Sequence, residues 1–176
     1  MATIIFDVLQ TLWFGAQILL LWVLADFITG LVHWWQDTYG HPDWPILGKY
    51  LVIPNLNHHK NPRGMLKDNY WTRVGASVVA AIILIIIFWV CGWHSWRMIV
   101  CLAFTTQGNQ IHVMAHRTNK ENGPLVMFLQ KLGVFQSRKA HGWHHKAPYD
   151  TNFFILTDYL NPFFNKIKFF ESVERF

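Results

Sequence analysis

Apolar residues run along three stretches of the chain and give way between them to polar, proline-marked segments. The first stretch, residues 8–35, reads as one long helix from Val8-Leu9-Gln10 through Ala25-Asp26 to Trp34-Trp35. It is longer than the apolar core of a leader peptide and no small-residue cleavage site follows, so an anchor is expected rather than a removable leader. The second, residues 71–93, contains an uncharged run from Val78 to Val90. At 1.5 Å per residue it reaches roughly 34 Å, enough for a hydrocarbon core of about 30 Å. A tight connection, Gly92-Trp93-His94-Ser95, leads into a third span expected from Trp96 to Ala115. That span turns polar in its second half, at Thr105-Thr106-Gln107-Gly108-Asn109-Gln110, and polar groups inside a membrane helix are costly unless they face a cavity or a site.

Residues 36–70 form the polar connection between the first two spans. Helices are expected at 124–134 and 137–146, followed by the aromatic stretch 153–170, which fits an interfacial, half-immersed segment better than a fourth span. The fold class is therefore all-α: one membrane domain over 1–176, with about three spans (four if 153–170 crosses) and helices capping one face. Composition supports this. Of the 176 residues 52% are hydrophobic, ten are tryptophan and only 14% are charged, against about 25% in soluble domains. Cys91 and Cys101 lie in apolar runs without ligand spacing and are assigned to packing. The net charge of +5 comes with no basic stripe of interleaved aromatics, which argues against nucleic acid. Fourteen of the fifteen lysines and arginines fall in or beside 36–73 and after the third span, leaving only Arg97 in the second connection. Positive loops stay in the cytosol, so both large polar segments are expected there.

Histidines follow the same sorting. His33 ends the first span with Asp37 one turn on; His58-His59 lie in the first polar segment; His112 and His116 end the third span; His141, His144 and His145 follow. Eight imidazoles from four segments are thus expected on one face, with His41 and His94 apart. On a helix i, i+3 and i+4 share a side, so the three histidines of 141–145 point into one small volume, whereas neighbours such as His58-His59 diverge by about 100° and can each serve a different ion. Eight rings exceed one six-coordinate ion and suit two ions with open positions. Imidazole accepts zinc, copper, iron or nickel, so it does not choose the metal. Asp37 is a ligand, an acceptor that fixes the His33 tautomer, or a plain helix-end carboxylate. Asn109 and Gln110 either orient a ring or bond between helices.

The boxes His33-x3-Asp37, His58-His59, His112-x3-His116 and His141-x2-His144-His145 resemble those of the membrane-bound desaturase and hydroxylase superfamily. Together with Ala25-Asp26, Gly30, Trp34, Thr38, Gly40, Pro45, Gly48, Pro54, Pro62, Asn109-Gln110-Ile111, Arg138-Lys139, Pro148, Thr151, Phe153 and Leu160-Asn161, they are most similar to the plasmanylethanolamine desaturase family, which is also called Kua and includes the CarF proteins. Gly108 stands where that family commonly has threonine, and Ala140 where some members add a histidine. The resemblance implies a non-haem di-iron oxidase that uses O2 to remove two hydrogens from a lipid chain near its headgroup. Its metal ligands would be His33, His58, His59, His112, His116, His141, His144 and His145, with Asp37 at the catalytic site. It also implies a phospholipid substrate, best guessed as plasmanyl lipid converted to its vinyl ether. With no flavin, haem or iron–sulfur motif in the chain, electrons would come from a separate donor, a cytochrome b5-like protein or a ferredoxin. The location would be the endoplasmic reticulum of a eukaryote or the inner membrane of a bacterium.

Two other classes share the same residues. A di-metal lipid hydroxylase or hydrolase of this architecture would keep every histidine and differ in its product. A non-enzymatic haem- or metal-carrying membrane protein would pair histidines across spans rather than gather them on one face. Oligomeric state is not legible in the sequence.

Overall fold

The computed structural model describes residues 2–175, and among these there is no β-strand. Helix α1 runs Ala2–Tyr39, longer at both ends than the apolar pattern alone predicts. Its added C-terminal turns carry Asp37 and Thr38 past the bilayer-length portion. From Thr3 to Ala16 its side chains are exposed, and burial begins on one stripe that includes Leu21, Ala25, Asp26 and His33. Helix α3, Tyr70–Val90, starts at Asn69, whose side chain accepts the Thr72 N–H and so satisfies one donor of the first turn. Ile82, Ile83, Ile86, Ile87 and Trp89 point outward from it and are exposed, a surface that suits lipid and not water. Helices α1 and α3 are the two that are long and apolar enough to cross a membrane.

The expected third span is broken in two: α4, Trp96–Thr105, capped by Ser95, and α5, Gly108–His116. The cause is local. The hydroxyls of Thr105 and Thr106 bond back to Leu102 O and Ala103 O, competing with the helical ladder at the point where it parts. Helix α1 packs along α4, while α3 leans on α4 and α5 from the other side. In the first polar segment a π-helical turn, Gly48–Val52, runs into α2, Ile53–Lys60, and a short 3-10 turn follows at Gly64–Lys67. Helix α6, Asn119–Lys131, opens with a capping box between Thr118 and Glu121 and bends at Gly123-Pro124. Helix α7, Arg138–His144, is capped by Ser137; α8, Leu160–Lys166, and α9, Phe169–Glu174, close the chain.

The aromatic stretch corrects the sequence reading in its first half. Phe153, Phe154, Ile155, Leu156 and Thr157 are not interfacial but buried, an extended strap threaded against α1. Phe153 and Phe154 pack with Phe170, Phe27 and Trp34, so they form core rather than a membrane anchor. Only α8 keeps an outward apolar stripe, Tyr159, Phe163 and Ile167. Of the cysteines, Cys101 is buried as packing predicts, whereas Cys91 at the end of α3 is exposed. Gly30 is what admits the strap: a Cβ there would lie 2.2 Å from the Phe154 ring, against nothing within 4 Å at Gly15 on the same helix. Overpacking of this kind costs about 1–3 kcal/mol. Gly30→Leu should therefore lower thermal stability in detergent by that amount, and Gly15→Leu should not, as followed by circular dichroism.

Candidate metal centre

All eight expected histidines, with Asp37, meet by the C-terminal ends of α1 and α5, and they divide into two groups. His58, His112, His116, His141 and His145 form one; His33, Asp37, His59 and His144 form the other; within each, the donor atoms lie within 4.8 Å of one another. Helix geometry explains the division. His58 and His59 are neighbours on α2 and diverge, as expected. His141 and His145 stand about 40° apart around the axis of α7, while His144 lies about 60° to the other side of His141. The three rings of 141–145 therefore do not share one site: His144 goes to the acidic group and its two companions to the all-imidazole one. His41 stays exposed beside Asp43, and His94 stacks on Trp89 at the opposite end of α3.

In the five-imidazole group four Nε2 atoms crowd together. His112 lies 2.7 Å from His141, His141 3.0 Å from His145, and His145 2.9 Å from His58, all Nε2 to Nε2. An imidazole nitrogen offers a single in-plane hydrogen or a single lone pair. His141 and His145 each face two partners with that one nitrogen, so the three contacts cannot all be hydrogen bonds. His116 Nε2 is buried with no partner at all. A cation among them satisfies every one of these nitrogens. Burial and the neighbouring imidazoles hold His58 and His141 far below the usual histidine range, and bring His145 down to about 3. Neutral rings with free lone pairs are what a metal requires.

The acidic group makes the same point through its tautomers. His33 Nδ1 sits 3.1 Å from Phe153 O, and His144 Nδ1 sits 2.8 Å from Thr151 O. Carbonyls only accept, so both Nδ1 atoms carry hydrogen, and in the singly protonated tautomer that metal binding requires each Nε2 is bare. Those bare nitrogens lie 3.5 and 3.3 Å from Asp37 Oδ2, and all three atoms are buried without a hydrogen-bond partner. Two lone pairs facing a carboxylate oxygen repel one another unless a positive ion lies between them. His59 Nε2 lies 3.0 Å from Asp37 Oδ1, which Asn55 also approaches from one turn earlier on α2. Asp37 thus sits at a ligand position rather than on a free helix end. The donor set of seven unpartnered or crowded nitrogens, His59 and one carboxylate fits two transition ions, iron among them.

Several expectations outside the ligand set resolve differently. Asn109 and Gln110 orient no ring: Asn109 Nδ2 donates to Arg73 O, and Gln110 Oε1 accepts from the Arg73 guanidinium at 3.1 Å, binding α5 to α3. Lys146 lies over the Trp143 ring. The polar half of the third span does face a cavity, of about 860 Å³, lined there by Thr105, Gly108, Asn109 and His112. Sequence reasoning missed the strap carbonyls and Asn55. The latter had a signal, since Asn55 and His59 are spaced i, i+4 and meet the same carboxylate oxygen.

Metal-free protein in detergent should bind two Co(II) ions per chain. His141→Ala should abolish or weaken one ion and His144→Ala the other, which visible absorption and metal content would register. Because the folded His58, His141 and His145 titrate well below the unfolded value of about 6.5, the unfolded chain alone takes up protons as pH falls through that value. The metal-free protein should therefore lose stability from about pH 6.5 downward toward pH 3, seen as a falling Tm.

Residues 22–176 match the model of the lipid desaturase domain. A probable fatty acid desaturase of Acanthamoeba polyphaga mimivirus is 32% identical over 162 residues, covering 91% of this chain and 80% of the viral one. Plasmanylethanolamine desaturase of Myxococcus xanthus is 27% identical over 167 residues, 91% of this chain and 59% of that one. Chloroplastic fatty acid desaturase 4 of Arabidopsis thaliana is 31% identical over 159 residues, 87% and 48% respectively. The chain spans about half to three-fifths of the bacterial and plant proteins. No solved structure matches it. With a histidine-rich centre that could hold metal, at the end of membrane-length helices, the chain belongs to the lipid desaturase domain family.

Proposed function

We propose that this chain is a di-iron, O2-dependent desaturase that places a double bond in a membrane lipid chain close to its headgroup, plasmanylethanolamine being the first substrate to test. The observation that carries this reading is the cavity. It is walled by Ile28 and Val32 of α1, Ala80, Ala81 and Leu84 of α3 and Leu102 of α4, and its polar end reaches His33, His58 and His112. Histidines of both groups therefore border one space. On α3 the lining extends from Thr72 to Leu84, about 18 Å along the axis. Its volume lies in the range of ordinary ligand pockets.

The residues divide the work by position. The apolar walls take the hydrocarbon and keep water from it. Small residues on α3, Ala76, Ser77, Ala80 and Ala81, leave the room. Lys60 lines the polar end and has no ion-pair partner among the described residues, so its ammonium is available to a lipid phosphate. Arg73 is not, because it is committed to Gln110 and to the carbonyls of Met65, Leu66 and Asp68, which hold the 64–67 turn over the cavity. With the headgroup at Lys60, the carbons nearest it come to the histidines. Two iron ions held by the histidines and Asp37 would supply the activation of O2 that side chains cannot. Overall, two hydrogens leave adjacent carbons, two electrons and two protons arrive from outside, and O2 becomes two waters. The electrons would come from a small acidic carrier, a cytochrome b5-like protein or a ferredoxin, meeting the basic face around Lys131, Arg138 and Lys139, which we assign to the cytosol. The relative named plasmanylethanolamine desaturase supports the choice of substrate.

Cells supplied with alkyl-ether phosphatidylethanolamine and expressing the protein should accumulate the acid-labile vinyl ether in air and not without O2, as read by lipid mass spectrometry. His144→Ala should abolish the product. An alcohol in its place identifies a hydroxylase, and unchanged lipids at equal expression overturn the reading. Ala80→Phe, filling the cavity, should cut turnover on the order of tenfold or more while metal content stays unchanged.

A further inference from the structure

The two groups of the metal centre differ in what lies behind their ligands. In the acidic group the outer nitrogens of His33 and His144 both end on carbonyls of one short segment, Phe153 O and Thr151 O. In the five-imidazole group the outer Nδ1 atoms of His58, His141 and His145 are buried with no hydrogen-bond partner. The strap therefore serves one group and not the other. Any shift of the strap along α1 would move both carbonyls at once, and with them the ring planes and the tautomers they fix.

What holds the strap in register is Asp26. It lies on α1 seven residues before His33, on the same face and about 10 Å deeper. Its carboxylate is fully buried. Oδ1 accepts the Leu156 N–H at 2.8 Å, and Oδ2 accepts the Thr157 N–H at 3.2 Å and its hydroxyl at 2.5 Å. No ion pair neutralises it among the described residues. A carboxylate inside a membrane helix is costly and marks a function by default. Here both of its oxygens are spent on strap donors, two N–H groups and one hydroxyl. Gly30, one turn toward His33, lets the Phe154 ring lie directly on the α1 backbone. The segment is fixed from the other side as well, by Gln136 N–H on Leu156 O and by Gln136 and Asn161 amides on Phe154 O.

We propose that Asp26 is a positioning residue of the metal centre: by clamping the 151–157 strap to α1 it keeps His33 and His144 presenting Nε2 to the ion beside Asp37, and so governs that ion independently of its neighbour. This rests on reading the two histidine groups as metal sites. The experiment is Co(II) titration of metal-free wild type, Asp26→Asn, Thr157→Val and Thr157→Ser in detergent, followed by d–d absorption and by metal content after gel filtration. Asp26→Asn turns an acceptor oxygen into an N–H donor facing Thr157. It should weaken one of the two ions about 10–100-fold and leave the other unchanged, the size of effect seen when groups behind metal ligands are altered. Thr157→Val, which removes the hydroxyl that donates to Asp26 and accepts the Tyr159 N–H, should weaken the same ion less, and Thr157→Ser should restore it. In the metal-free proteins, amide exchange at 156 and 157 should quicken in Asp26→Asn while α5 stays protected.

Two ions lost in parallel, or none weakened, in Asp26→Asn with wild-type helicity would overturn the assignment. If Asp26→Asn does not fold, Thr157→Val decides by the same criterion. A wild type that binds no ion overturns the metal reading itself, whereas two ions in the wild type and equal affinities in the variants overturn only the role of Asp26.

Discussion

A nitrogen without a hydrogen, buried against a carboxylate oxygen, is a repulsive arrangement that water cannot relieve. In its metal-ready tautomer the centre of this protein contains two such contacts, His33 and His144 against Asp37, and beside them a row of imidazole nitrogens of which two, on His141 and His145, face more partners than they have lone pairs. Everything around them is organised to keep them so. Burial disfavours the charged form of His58, His141 and His145, and the far nitrogens of His33 and His144 are engaged where a strap passes behind them. Buried polar groups normally find protein partners. A set that converges without finding them is one that could hold metal ions.

One stripe of α1 does most of the arranging. Asp26, Gly30, His33 and Asp37 recur at spacings of three and four and therefore lie on one side of the helix. In order toward the polar end they clamp the strap, give it clearance, and supply two donors to the acidic group. Elsewhere on α1, Leu21 and Ala25 pack against Cys101, Ile111 and Leu156, and from Thr3 to Ala16 the side chains are exposed. The break between α4 and α5 complements this. Its threonines bond locally, and the helix that resumes at Gly108 carries His112 and His116 to the five-imidazole group.

Much of this was written in the chain in a form that elementary geometry can read. The histidines sort to one face because the spans end there, and adjacent residues such as His58 and His59 part because helical neighbours must. The split within 141–145 was equally available: 40° keeps His141 with His145, and 60° the other way removes His144. The polar run from Thr105 to Gln110 signals a cavity because polar groups in a membrane helix are costly unless they face one or find a partner. The strap was not legible. Phe153-Phe154-Ile155-Leu156 has the composition of an interfacial segment, and nothing local distinguishes burial in lipid from burial in protein. Its fate depends on a slot more than a hundred residues away, made by an absent side chain at Gly30 and a carboxylate at Asp26. Asn109 and Gln110 stayed ambiguous because the decision lay with Arg73 on another helix.

The cavity has a consequence for how a ligand is supplied. Val32 of α1 and Ala80 and Leu84 of α3 line it and are exposed, which would let a guest enter sideways between the two helices. A guest reaching it this way never leaves the leaflet. Its occupancy would follow the mole fraction of that lipid among its neighbours, and aqueous concentration would have no bearing on it. Two bilayers holding equal amounts of the same lipid, one diluted by other species, would then fill the cavity to different extents.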